Sequence, residues 1–150
     1  MKYTRLKKRI KKNEGFSLIP YKDQLGNFTI GYGHLIKKKE KFYFVKKFDK
    51  AYFNKLFNED FKSAETECRN TLNKNIFYNS KTKELLIEMT FQMGIKNVCG
   101  FKKMLEHIRN KQKYLAALEM TKSLWYKQTP KRVEKLIKHY LEPWQIRMKI

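Results

Sequence analysis

The first 39 residues of this 150-residue chain hold two carboxylates, Glu14 and Asp23, set among eleven lysines and arginines. Two carboxyl groups flanking one acetal, one protonated and one ionised, are what acid–base cleavage of a glycosidic bond requires. Such a pair works only if the two environments differ. Glu14 precedes Gly15 at the expected end of a helix, where the negative end of the helix dipole favours a proton-bearing carboxyl. Asp23 falls in a turn, more solvated, which suits an ionised base. Downstream, Phe28, Ile30 and Tyr32 alternate with Thr29, Gly31, Gly33 and Leu35. The first set fits a core. The second is nearly bare, leaving room for a sugar chain, with the Thr29 hydroxyl placed to hold a water beside Asp23. The same residues also fit two ordinary surface acids and a glycine bulge, and spacing leaves both readings open.

The elements that must position these groups follow from periodicity. Leu6 and Ile10 at i, i+4 predict a short helix over Thr4 to Asn13, stopped by Gly15. Phe16 to Tyr21 and Asn27 to Leu35 predict strands joined through Asp23-Gln24-Leu25-Gly26. Phe42 to Phe48 carries no clear pattern. Phe53, Phe57, Phe61, Ala64 and Cys68 predict a helix capped by Asp49. Further helices are predicted around Leu85 to Met93, Phe101 to Ile108 and Lys113 to Lys122. The last begins at Thr129-Pro130, a cap followed by proline at the first helical position, and carries Val133, Leu136, Ile137, Tyr140 and Leu141 on one face. A small β element followed by about five helices is an α+β arrangement.

The composition bounds the function. A 41% hydrophobic and 15% aromatic content supports a packed core, and 35 basic against 14 acidic residues give a charge of +21. That excess attracts polyanions: nucleic acid, anionic membrane or the acidic polymers of a bacterial wall. Cys68 and Cys99 show no ligand spacing and read as reduced thiols, a single disulfide being the alternative. The basic N-terminus has no apolar run after it, so no secretory signal is expected, and no stretch is long enough to span a bilayer. His34, His107 and His139 lack metal-ligand spacing, and Gly31-x-Gly33 lacks the third glycine of a dinucleotide fingerprint, so neither metal nor cofactor is expected.

Four separated motifs then agree in order with one family. Glu14-Gly15, Tyr21-Lys22-Asp23, Gly26 and Thr29-Ile30-Gly31-Tyr32-Gly33-His34-Leu35 resemble the catalytic segment of the T-even phage lysozymes. Leu56-Phe57-Asn58-Glu59-Asp60, Phe91-Gln92-Met93-Gly94 and Trp125-Tyr126-Lys127-Gln128-Thr129-Pro130-Lys131-Arg132 follow in the same order. The similarity runs from about Leu6 to Tyr140.

The resemblance implies a single lysozyme-like domain over residues 1–150. A small N-terminal lobe with a three-stranded antiparallel sheet would cover about 15–50 and a long joining helix about 50–68. A helical lobe would cover about 69–150 together with 1–14. It implies a muramidase that cuts the β-1,4 bond between N-acetylmuramic acid and N-acetylglucosamine with inversion, the carboxyls roughly 6.5–9.5 Å apart. Glu14 matches the general acid, Asp23 the carboxylate directing water, Thr29 the threonine assisting it and Arg132 an arginine reaching Glu14. His34 and Asp60 match an ion pair tying the sheet to the joining helix. Leu35, Gly33 and Phe91 match cleft residues, as do Met104 and Glu119, which replace a serine and an asparagine at the cleft edge. Asn13 replaces an aspartate beside the acid, and Ile36 to Lys47 is a shortened, basic stretch.

The family context further implies peptidoglycan as partner, a monomer, and residence in the host bacterial cytoplasm until a holin opens access to the wall. The competing readings are a basic nucleic-acid-binding protein, for which no helix-turn-helix, RRM or KH signature is found, and a chitinase or chitosanase of related fold. A cysteine peptidase built on Cys99 and His107 matches no known spacing.

Overall fold

The computed structural model describes residues 2–23, 26–40 and 49–143. The expectations for Phe42 to Phe48 and for the tip Gln24-Leu25 lie outside the described residues, as do the far ends of the shortened stretch and of the helical region.

Helix α1 (Thr4–Glu14) buries Leu6 and Ile10, the two apolar positions one turn apart. It ends at Gly15, whose φ of 72° takes the chain out of the helix while its N–H still donates to the Lys11 carbonyl. Strands β1 (Ser17–Lys22), β2 (Phe28–Gly31) and β3 (His34–Leu35) form an antiparallel sheet in sequential order. Tyr21 pairs with Thr29, and Thr29 in turn with Leu35, with an irregularity in β1 between Ser17 and Tyr21.

The continuous strand expected from Asn27 to Leu35 is therefore two strands. The chain reverses at Tyr32-Gly33, with Gly31 at φ 65° and Gly33 at φ 72°, so the alternation stops at Gly31. The expected bare face is corrected with it. A Cβ on Gly31 would fall 2.5 Å from the Phe53 ring, and one on Gly33 would fall 2.6 Å from Glu14 Oε2. These glycines admit a core ring and a carboxylate, where room for sugar had been expected. Phe28, expected in the core, is 48% exposed, whereas Thr29 is buried.

Helix α2 (Lys50–Thr71) is capped by the Asp49 side chain, which accepts from the Tyr52 N–H. Its buried stripe is Phe53, Phe57, Phe61, Ala64 and Cys68. A 3-10 turn (Lys74–Ile76) leads into α3 (Ser80–Met93), capped by Asn79. Then come α4 (Ile95–Cys99), α5 (Lys102–Arg109), α6 (Lys113–Thr121), α7 (Leu124–Gln128) and α8 (Pro130–Leu141). Five helices were expected after the sheet; α4 and α7, at five residues each, bring the number among the described residues to seven. Pro130 opens α8, but Thr129 makes no side-chain cap: its hydroxyl donates backwards to the Trp125 carbonyl at 3.1 Å. That bond consumes the donor while tying α8 to α7.

The core divides unevenly. A large cluster joins Leu6 and Ile10 of α1 to Phe57 and Phe61 and to the apolar faces of the later helices. A small one, Ile30 and Phe53, seats the sheet on the start of α2. Helix α2 contributes to both, so it fixes the sheet relative to α1. The fold is α+β, a small N-terminal sheet with a mostly helical remainder. Cys68 and Cys99 are both free thiols, and burial pushes Cys68 up to about 11. Among the described residues no helix is long and apolar enough to cross a membrane.

Candidate active site

Glu14 and Asp23 line one cleft of about 1330 Å³. Its walls come from the end of α1, the end of β1, the end of α3 and the segments around α4 to α8, including Met104, Glu119, Trp125 and Arg132. Cations line it more densely than acids: Lys22, Lys102, Lys103, Lys122, Lys131 and Arg132 against Glu14, Asp23 and Glu119. The field in such a cleft favours an anionic polymer.

Glu14 is held from two sides. Arg132 Nη2 donates to Glu14 Oε1 at 2.7 Å, and both side chains are largely buried. These residues are 118 apart in sequence. They meet because α8 begins at Pro130, which puts Arg132 in its first turn beside the end of α1. Gly33 flanks the other carboxylate oxygen, at a distance only a residue without Cβ allows.

Asp23 is held by its own turn. Its N–H donates to the Asn27 carbonyl at 2.9 Å, its carbonyl accepts from the Gly26 N–H at 3.0 Å, and its Oδ1 accepts from the Asn27 N–H at 2.9 Å. Thr29 stands on the paired strand, its hydroxyl donating to the Tyr21 carbonyl at 3.2 Å.

His34 is buried on β3 between two carboxylates. Nδ1 lies 2.7 Å from Asp60 Oδ2 on α2, and Nε2 lies 3.0 Å from Glu40 Oε1. Burial of the ring opposes its charge, but hydrogen bonds to Asp60 and then Glu40 outweigh that cost, so His34 is raised above its ordinary value. Glu40 also accepts from the Lys37 N–H at 2.8 Å; despite the cost of its own burial, that bond and the His34 contact hold it below the usual carboxylate range.

The other expected site residues are distributed unequally. Met104 and Glu119 line the cleft, Glu119 paired with Lys122 at 3.3 Å. Leu35 and Phe91 do not line it. Leu35 is 53% exposed on the edge strand, and Phe91 packs against Phe57 with ring centroids 5.3 Å apart.

Two supporting carboxylates escaped the sequence reading. Glu88 is fully buried on α3, accepts from Arg9 Nε at 2.8 Å and lies 3.4 Å from Asn13 Nδ2. It anchors the helix that carries Glu14. Its signal was a lone acid inside the apolar run Leu85-Leu86-Ile87-Glu88-Met89. Glu40 was the single acid in a lysine run. Lys11, one turn before Glu14, donates to Asn54 Oδ1 at 2.8 Å with its ammonium 4.9 Å from both the Tyr32 and Phe57 rings. It thereby links α1, the β2–β3 turn and α2.

A glutamate fixed at a helix end and an aspartate fixed on a hairpin share one cation-rich cleft, an arrangement able to carry out acid–base cleavage of a glycosidic bond. The comparisons give the family. The phage lysozyme family model matches residues 11–141. The chain is 36% identical over 154 aligned positions to probable T4-type lysozyme 2 of Dictyostelium discoideum, covering 88% of this chain and 91% of that protein. It is 35% identical over 156 positions to probable T4-type lysozyme 1 of the same organism, with the same coverage. The chain belongs to the phage lysozyme family: it is a lysozyme-type glycoside hydrolase whose substrate is peptidoglycan.

Proposed function

We propose that the enzyme hydrolyses the β-1,4 bond between N-acetylmuramic acid and N-acetylglucosamine with inversion at the anomeric carbon. The observation that carries this reading is the shared cleft of Glu14 and Asp23, reached from a helix end and from a separate hairpin. Glu14 donates a proton to the departing glycosidic oxygen. Asp23 takes a proton from water attacking the opposite face of the sugar. Thr29, whose hydroxyl can donate to the Tyr21 carbonyl and still accept from water, steadies that water. Arg132 and Gly33 position the acid.

Met104 and Glu119 are read as cleft-edge residues, and Leu35 and Phe91 as contacts for a chain extending past the cleft. The His34–Asp60 pair holds the sheet to α2. In this reading the sheet lobe spans about 15–50, the joining helix about 50–68, and the helical lobe the remainder with 1–14. The enzyme acts as a monomer that lyses a host cell, waiting in the cytoplasm until a holin admits it to the wall.

The test is product stereochemistry. NMR of freshly cleaved peptidoglycan should show the α-anomer first, and Glu14→Gln should release product at least about 10²-fold more slowly while leaving DNA binding unchanged. Early β-anomer would overturn inversion. Full activity in Glu14→Gln would overturn the assignment of the acid.

A further inference from the structure

Helix α6 departs from the pattern of the other outer helices. Its inner face buries Ala116, Ala117 and Met120, as a packed helix should. Its outer face, however, carries Tyr114 (68% exposed), Leu115 (44%) and Leu118 (49%), and Leu124 (68%) follows in sequence at the start of α7. Four large apolar residues thus stand in solvent within eleven positions of a chain that is one-third charged. A contiguous apolar patch of this kind marks an interaction surface.

We propose that this face is a docking surface for an anionic lipid bilayer. Charge sets the class of partner. From residue 102 to residue 132 there are nine lysines and arginines against two glutamates, and Lys111, Lys122 and Lys127 are exposed close to the patch in sequence. A second copy of the chain would bring +21 against +21, which opposes self-association. Shape selects a bilayer. Tyr114, Leu115 and Leu118 line neither the catalytic cleft nor the smaller pocket beside Tyr3 and Cys68. They form the outside of a single helix, a convex ridge without the concavity in which a protein partner seats anchor side chains. Aliphatic side chains with a flanking tyrosine and exposed lysines on the adjoining sequence match the depth profile of a bilayer surface: acyl boundary, interface, anionic headgroups. Leu124 and Lys122 also line the cleft, so docking here would keep the active site beside the membrane face.

Co-sedimentation with vesicles tests this. The protein should bind phosphatidylglycerol-containing vesicles and not pure phosphatidylcholine. The triple variant Tyr114→Ser, Leu115→Ser, Leu118→Ser should bind at least about tenfold more weakly, with unchanged circular dichroism and unchanged hydrolysis of purified peptidoglycan. In a separate Tyr114→Trp variant, the fluorescence of the new side chain should shift to the blue on anionic vesicles. Equal binding by the triple variant, or an unmoved Tyr114→Trp emission, would overturn the proposal, since charge alone would then account for adsorption. A dimer that the triple variant dissolves would also overturn it, assigning the face to a second copy.

Discussion

Glu14 and Asp23 share a cleft but are held in place by opposite means. Asp23 depends on its own turn: both its backbone groups and one carboxylate oxygen bond within residues 23–27. Glu14 depends on the rest of the molecule. Its partner Arg132 arrives from α8, its neighbour Gly33 from the β2–β3 turn, and its helix is pinned by Glu88 from α3. Local bonds form whenever the hairpin forms. Long-range ones exist only when the core cluster that joins α1 to α8 is complete. The position of Glu14 is thus coupled to distant elements of the chain, whereas that of Asp23 also draws on bonds inside its own turn.

The largest expected effect is on chemistry. Glu14→Gln should lower peptidoglycan hydrolysis by about 10²–10⁴-fold with little change in thermal stability. Removing support from the acid should come next. Arg132→Ala should reduce kcat by about 10–100-fold, since it removes the contact that fixes the proposed acid, Glu14. A matched disruption of the hairpin, Asn27→Pro, removes an N–H from Asp23 and should cost activity without altering the packing around Glu14.

Gly33→Ala lies between the two regions. The φ of 72° disfavours any Cβ, and the added methyl would meet Glu14 Oε2. We expect a stability loss of about 1–2 kcal/mol in urea denaturation, together with lower activity. Loss of stability with full activity would show that the carboxylate adapts.

The smallest effect concerns stability and pH. Because His34 is raised in the folded state, its charged form stabilises the fold fully below about pH 6.5, its unfolded value. That contribution is lost as pH rises through the higher folded value. Glu40 acts in the opposite direction: its contribution is present above its unfolded value of 4.5 and is lost as pH falls through the lower folded value. Asp60→Asn should therefore cost about 1–2 kcal/mol near pH 5.5 and clearly less at pH 9. Equal losses at both would contradict an ion-pair role.

What could be read from the sequence divides along the same line as the two carboxylates. Gly15 as a helix stop, Asp49 as a cap, Pro130 at a first helical position and the five-residue stripe of α2 are local signals, and each is found in the fold. The hairpin and the two carboxylates were legible from pattern, while the three-stranded sheet and the roles of Glu14 and Asp23 came only with the family motifs. Alternation failed at Tyr32-Gly33 because two positive-φ glycines reverse the chain, a state that a strand pattern does not encode. Thr129 misled because a hydroxyl can donate to a carbonyl one turn back as readily as it caps. Helices α4 and α7 are too short to display a period. Glu88 went unassigned because its partner Arg9, 79 positions away, becomes a neighbour only through tertiary packing, and Glu40 because the turn that brings it back to His34 has no clear signature inside a lysine run.

The most direct test of the paired-carboxylate account is the release of reducing ends from purified peptidoglycan by the native enzyme, Glu14→Gln and Asp23→Ala at equal folded concentration. The account predicts rapid release by the native enzyme and near-background rates for both variants. Substantial release by either variant would contradict it.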